Sequence, residues 1–276
     1  MKTRRQILRG IIIILLLIWT LFPIYWMISL AIRGGEELTS SLSFFPQTFS
    51  LQHFKTLFDK HDFAKALLNS LTVTAISLAV ALLVGLGCAY ILVRSRFRFG
   101  LRKLSFFWIL LVRVLPPIAF AMPLYFIFNY LQVSDTRVPI VMAHLLINLP
   151  LIIWFTMTTI DTLAQEIEES AQIDGANEWQ IYYYIILPQI VPSIAAVGML
   201  SFMASWNEYL YAVIFIQKRD LFTVPLLLST MNSEQELTQW GTVGAGGIIS
   251  MIPVILFVIF AQKYLIAGLS AGGVKE

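Results

Sequence analysis

The sequence predicts an all-α polytopic membrane protein with six transmembrane helices and both termini in the cytoplasm, and three observations predict it. First, of 276 residues 58% are hydrophobic and only 13% charged, whereas soluble domains run at roughly 45–50% and about a quarter. An excess of that size cannot be buried in one globule, which still has to cover itself with polar surface, so a soluble enzyme is excluded. Second, charge is absent from residues 10–32, 66–93, 138–160, 179–207 and 237–262, and residues 104–134 hold only Arg113. Each run reaches the roughly 20 residues that cross a bilayer core. Third, the basic residues gather in clusters beside these runs and not along a face or an aromatic patch. A pI near 9.0 therefore reads as topology and not as nucleic-acid binding.

The elements follow in order. Lys2, Arg4, Arg5 and Arg9 precede the first span, about 10–32. Ser29-Leu30-Ala31 faintly resembles a signal cleavage site, but the apolar stretch exceeds a signal core of about 7–15 residues, so it reads as a retained span. An outer segment at about 33–68 carries a short amphipathic helix around His53–Phe58. Span two covers about 69–93. Arg94, Arg96, Arg98, Arg102 and Lys103 follow it, and the positive-inside rule puts both basic clusters in the cytoplasm. Span three, about 104–130, meets Pro116-Pro117, which should break the helix. Span four covers about 139–159, span five about 191–216 and span six about 241–264, with outer segments at 131–138 and 217–240. The Gly241–Gly247 stretch opens span six and suits close helix packing. No repeat or linker divides the chain, so residues 1–276 read as one transmembrane domain.

The loop at 160–190 departs from this pattern. It contains no Lys or Arg, but holds Asp161, Glu166, Glu168, Glu169, Asp174 and Glu178. Thr162 with Gln165 makes a candidate capping box for a first helix, and Asn177 with Gln180 for a second. Asp174-Gly175 is a stop-and-turn signal between them, and Pro188 and Pro192 should redirect the chain before span five. A helix lying on anionic lipid should be basic. An acidic hairpin instead favours a protein partner with a basic cleft.

Glu169-Ser170-Ala171, three residues, Gly175, nine residues, Ile185, one residue, Leu187-Pro188 resembles the EAA loop of binding-protein-dependent ABC transporter permeases, whose pattern is E-A-A-x3-G-x9-I-x-L-P. Every spacing matches, and the one departure is Ser170 for the first alanine. Phe22–Met27, Pro123-Leu124-Tyr125 and Trp206-Asn207-Glu208-Tyr209 extend the resemblance to the carbohydrate branch, and within it to the shorter, MalG-like subunit of maltose-type systems. The resemblance implies a non-catalytic permease in a bacterial inner membrane. Its implied partners are a second homologous permease, two ABC ATPase subunits and an extracytoplasmic solute-binding protein. Its implied cargo is a sugar: a di- or oligosaccharide, or a polyol. No cofactor belongs to this chain, since it has no phosphate loop and the ATPase partner would hold ATP and Mg. The implied coupling residues are Glu166, Glu169, Ser170, Ala171, Asp174, Gly175, Ile185, Leu187 and Pro188, with Glu168 adding complementary charge.

A charge inside a span is a functional candidate by default. Arg113 either lines the path, or pairs with Glu208, or serves structurally by snorkelling to the inner surface or capping carbonyls freed at the prolines. Glu208 is either a gating residue or an interfacial carboxylate beside Trp206 and Tyr209. Tyr125, Asn129, Asn148, Trp154 and Asn207 have the chemistry that grips sugars, though most aromatics of this kind pack between helices. The histidines show no metal-ligand spacing: His53, His61 and His144 stand apart, His144 reads as an interhelical hydrogen bonder, and the single Cys88 leaves no disulfide. The alternative reading is a self-sufficient six-span channel or secondary carrier. A carrier should show inverted repeats and matched internal charges, and neither it nor an intramembrane hydrolase needs an acidic partner surface.

Overall fold

A computed structural model describes residues 2–40, 43–94, 99–231 and 239–272. Among the described residues every regular element is a helix, with no strand. In chain order the helices are α1 (Lys2–Ala31), α2 (Gly35–Ser40), α3 (Gln52–His61), α4 (Phe63–Arg94), α5 (Phe99–Val114), α6 (Pro117–Tyr130) and α7 (Val138–Ile160). They continue as α8 (Gln165–Ile173), α9 (Glu178–Gln180), a π-helical segment (Ile181–Ile186), α10 (Leu187–Trp206), α11 (Leu210–Phe215), α12 (Val224–Met231) and α13 (Gln239–Gly272). Five are long and apolar enough to cross a membrane, or six if α5 and α6 count as one broken span. In hydrocarbon a helix satisfies its own backbone groups, so β-branched runs such as Ile11–Ile14 stay helical despite modest propensity.

Two compact units divide the contacts: Met1–Leu67 with Val224–Ile252, and Leu68–Thr223 with Pro253–Glu276. In the first unit, the glycines of α13 serve the packing role expected of them. A Cβ at Gly244 would lie 3.0 Å from the Met27 carbonyl of α1, one at Gly247 2.6 Å from Met27 Sδ, and one at Gly241 would strike the His53 ring. His53 is buried on α3 at the predicted amphipathic helix, and burial pushes its imidazole below the ordinary value despite a hydrogen bond to the Arg33 backbone. Beyond α1, the wholly buried Arg33 pairs with Glu37 at 3.1 Å and donates to Ser29 Oγ at 2.8 Å. Glu37 accepts from the Thr48 amide at 2.9 Å and the Thr48 hydroxyl at 2.8 Å, stapling the segment after α2 back onto it.

In the second unit, α7 packs against α10 and α5. Its Ile152 and Ile160 join Ala81 and Ala89 of α4, Ile181 and Ile186 of the π segment, and Val197 of α10 in one buried cluster. The break expected in span three is present: α5 and α6 meet at 97° across Leu115-Pro116, because tandem prolines remove the donors that would carry the ladder through. Two expectations need correction here. Span five does not begin at 191 or run to 216. A 29-residue helical stretch runs from Glu178 to Trp206, and the chain breaks at Asn207–Tyr209 before α11. Pro188 and Pro192 do not redirect it, since Pro188 sits at the start of α10, where a missing donor is cheap. The π segment just before it has already shifted the ladder, with the Leu187 N–H bonded to the Tyr182 carbonyl. In the basic cluster after span two, Arg96 and Arg98 lie outside the described residues.

Candidate functional site

The loop between α7 and α10 is built from local rules. The expected Thr162–Gln165 box is absent: the Thr162 hydroxyl donates to the Thr159 carbonyl at 2.7 Å, and α8 starts after Ala164 with no side-chain cap. Glu166 and Glu168 in the first turn compensate by facing the positive end of the helix dipole. At the other end the Ala176 N–H reaches the Ala171 carbonyl at 2.9 Å and the Gly175 N–H reaches Gln172 at 3.0 Å. This is a Schellman stop with Gly175 at φ +89°, where a side chain is strained. The second capping box is present as expected. Asn177 Oδ1 accepts from the Gln180 amide at 3.0 Å, and Gln180 Oε1 from the Asn177 amide at 2.8 Å. The second helix then passes directly into α10.

The faces of α8 differ. Glu166, Glu169, Ser170 and Ile173 recur at helical spacing and are exposed, Ile173 at 87%. Glu168 points the other way and is buried, which corrects its reading as partner-facing charge. Its carboxylate holds Arg94, the last residue of α4, with Nη2–Oε1 at 2.6 Å and Nε–Oε1 at 2.8 Å. The same guanidinium donates to the Ile160 carbonyl at the end of α7 at 3.1 Å. One arginine thus clamps the ends of two long helices to α8. Glu178 stays exposed but accepts from the Tyr90 hydroxyl of α4 at 3.1 Å. Of the remaining coupling candidates, Asp174 and Pro188 are exposed, while Ala171, Ile185 and Leu187 pack against the buried cluster. Sequence reading missed the clamp because Arg94 and Glu168 are far apart in the chain. The signal within reach was an arginine at a helix C-terminus together with a carboxylate on an otherwise outward helix.

The path candidates scatter. Arg113 is exposed and shares a small cavity with Pro117 and Tyr211. Its suggested pairing with Glu208 gives way to another arrangement. Glu208 lies in the break before α11, accepts from the Tyr211 and Ala212 amides at 2.8 and 3.2 Å, and faces His144 Nε2 at 3.8 Å. The unpaired donors at the start of α11 draw the carboxylate there. His144 meets Ser77 at 3.5 Å, in keeping with its interhelical reading. Asn148 is buried and donates to Ser205 at 2.7 Å, tying α7 to α10. Asn129 accepts from Ser134, Asn207 donates to the Met203 carbonyl, Tyr125 packs beside Phe128 and Phe215, and Trp154 is exposed.

Residues 81–271 match the family described as binding-protein-dependent transport system inner membrane component. The inner membrane ABC transporter permease protein YcjP of Escherichia coli (strain K12) is 31% identical over 264 residues, 95% of this chain and 93% of the relative. The diacetylchitobiose uptake system permease protein DasC of Streptomyces coelicolor is 27% identical over 95% of this chain and 93% of its own length. Among solved structures, a chain of a bacterial ABC transporter involved in the import of the acidic polysaccharide alginate superposes with a TM-score of 0.78 at 21% identity, covering 95% of this chain and 96% of that one.

Proposed function

This chain belongs to the family of binding-protein-dependent transport system inner membrane components, and from that premise we propose that it is a permease subunit of an ATP-driven sugar importer. It is a multi-pass protein of the inner membrane. In this reading residues 1–276 form one transmembrane domain with both termini in the cytoplasm, and the loop at 160–190 is the cytoplasmic EAA coupling loop. The chain pairs with a second homologous permease, two ATPase subunits dock beneath the pair and hold ATP and Mg, and a solute-binding protein delivers cargo from outside. A sugar as cargo is supported by a relative named for diacetylchitobiose uptake and a structural neighbour that imports alginate; di- and oligosaccharides and polyols all fit.

The observation that carries the reading is the two-faced α8. Its inner face is fastened through Glu168 to Arg94, while Glu166, Glu169, Ser170 and Ile173 stand outward with no core to fill. A helix gripped on that outer face moves α4, α7 and α10 with it, because Arg94 and the π segment join them without a flexible link. Closure of the ATPase dimer around bound ATP then biases the spans between inward- and outward-facing states. Glu208, at the break after α10, and His144, facing it from α7, are the gate elements of this scheme, and Arg113 lines the path. Co-expression with the ATPase and second permease tests it. Glu169→Arg with Ile173→Asp should lose the ATPase from the purified complex while retaining the second permease. Full recovery of the ATPase would contradict the assignment.

A further inference from the structure

A cavity of about 720 Å³ lies where the last turns of α4 meet the loop, walled by Gly87 and Tyr90 on α4, Glu169 on α8, and Glu178, Trp179 and Tyr182 beyond the turn. Among its described lining residues the balance is acidic: Arg94 and Glu168 neutralise each other at 2.6 Å, which leaves Glu169 and Glu178 in excess. Tyr182 lines the same cavity with only 9% of its surface exposed, and among the described residues no group takes its hydroxyl, which is left for a ligand in the cavity. Its ring lies 5.0 Å from that of Tyr90. Carboxylates, a phenol acceptor and aromatic faces together suit a cation that carries N–H donors.

One wall opens onto the apolar surface of α4. Leu83, Gly87 and Ile91 share a helix face at successive turns. Leu83 is 79% and Ile91 50% exposed, and a Cβ at Gly87 would meet nothing within 4 Å. A trough bare of side chain thus leads from the apolar flank of a membrane-spanning helix into an acidic, aromatic chamber at its end. We propose that the chamber binds the headgroup of a phospholipid bearing a primary ammonium, of phosphatidylethanolamine chemistry, with one acyl chain lying along Leu83, Gly87 and Ile91. The ammonium hydrogen-bonds Glu178 and the Tyr182 hydroxyl. The amides of Gln165 and Gln172 in the same wall are donors for the phosphate. The described carboxylates disfavour an anionic headgroup. A basic side chain of a protein partner would meet the charge but leave the trough empty. The site rests on the membrane placement of α4 and not on the ATPase coupling proposed above.

Native mass spectrometry of the purified, assembled transporter with added phosphatidylethanolamine, phosphatidylcholine or phosphatidylglycerol tests this. Phosphatidylethanolamine should be retained about tenfold better than phosphatidylglycerol, and phosphatidylcholine, lacking N–H donors, should fall between them. Tyr182→Phe and Glu178→Gln should each lower that retention several-fold. Gly87→Leu, which fits sterically and raises helix propensity, should block the acyl trough and abolish the preference with circular dichroism unchanged. Equal retention of phosphatidylglycerol would overturn the site, as would an undiminished preference in Gly87→Leu. Displacement of the lipid from the isolated chain when its partner subunits assemble would overturn it too, and would give the chamber to a protein side chain.

Discussion

At the scale of single residues, the chain places its few charges where each has work that apolar atoms cannot do. Arg94 and Glu168 have side chains only 12% and 6% exposed, so removing one strands the other. Glu168→Gln should cost about 3 kcal/mol of stability in a detergent unfolding series, and Arg94→Met combined with Glu168→Leu should recover much of it. Additive losses in that cycle would show that the clamp is not an energetic unit. Glu37 titrates differently. Burial alone would raise its pKa, but donors from Gln47 and Thr48 together with the Arg33 charge pull it from 4.5 down to about 2. A carboxylate depressed on folding contributes stability that is complete above the unfolded value of 4.5 and drains away as pH falls towards 2. Pepsin cleavage around Phe44-Phe45 should therefore speed up across that window beyond the enzyme's own pH response, and Glu37→Gln should abolish the extra acceleration. The Arg33–Glu37 pair was legible in principle, as charges four apart on a helical register. Arg94–Glu168 and His144–Glu208 were not, because their partners meet only once the helices pack.

At the scale of elements, what was local in the sequence proved readable. Apolar runs set the spans, Pro116-Pro117 set the break between α5 and α6, and Asn177–Gln180 and Gly175 set the second half of the loop. What failed depended on context. Pro188 and Pro192 looked like stops, but a π segment that has already changed the bonding register lets the helix run on. Thr162 looked like a cap, but its hydroxyl is spent on the end of α7. Two predictions belong here. At Gly175 no neighbour lies within 4 Å, so substitution costs only backbone strain, about 1 kcal/mol for Ala and more for Val, with Asn tolerated best. Uptake should fall in the order Gly, Asn, Ala, Val while membrane insertion is unchanged; a flat series would sink the rigid-turn account. At Gly244 the neighbour is backbone, the Met27 carbonyl, which cannot rotate away. Gly244→Leu should force α1 and α13 apart and lower the melting temperature of the purified protein, whereas Gly10→Leu, in open space, should not.

At the scale of the whole molecule, scarcity of charge established a membrane protein and the placement of charge pointed to a partnered one. The family match agrees with the membrane reading. The substrate path was the least legible part, because amides and aromatics that grip sugars also tie helices together, as Asn148 ties α7 to α10. The central claim, that α8 transmits ATPase closure to the spans through a rigid turn and a single clamp, is tested most directly in proteoliposomes. The assembled transporter would be reconstituted with its binding protein and sugar, and ATP hydrolysis and uptake measured together. Wild type should show hydrolysis stimulated by the loaded binding protein and uptake strictly dependent on ATP, while Gly175→Val should lose both the stimulation and the uptake with all subunits still bound. Uptake by this chain alone without ATP, or undiminished coupling in Gly175→Val, would contradict the account.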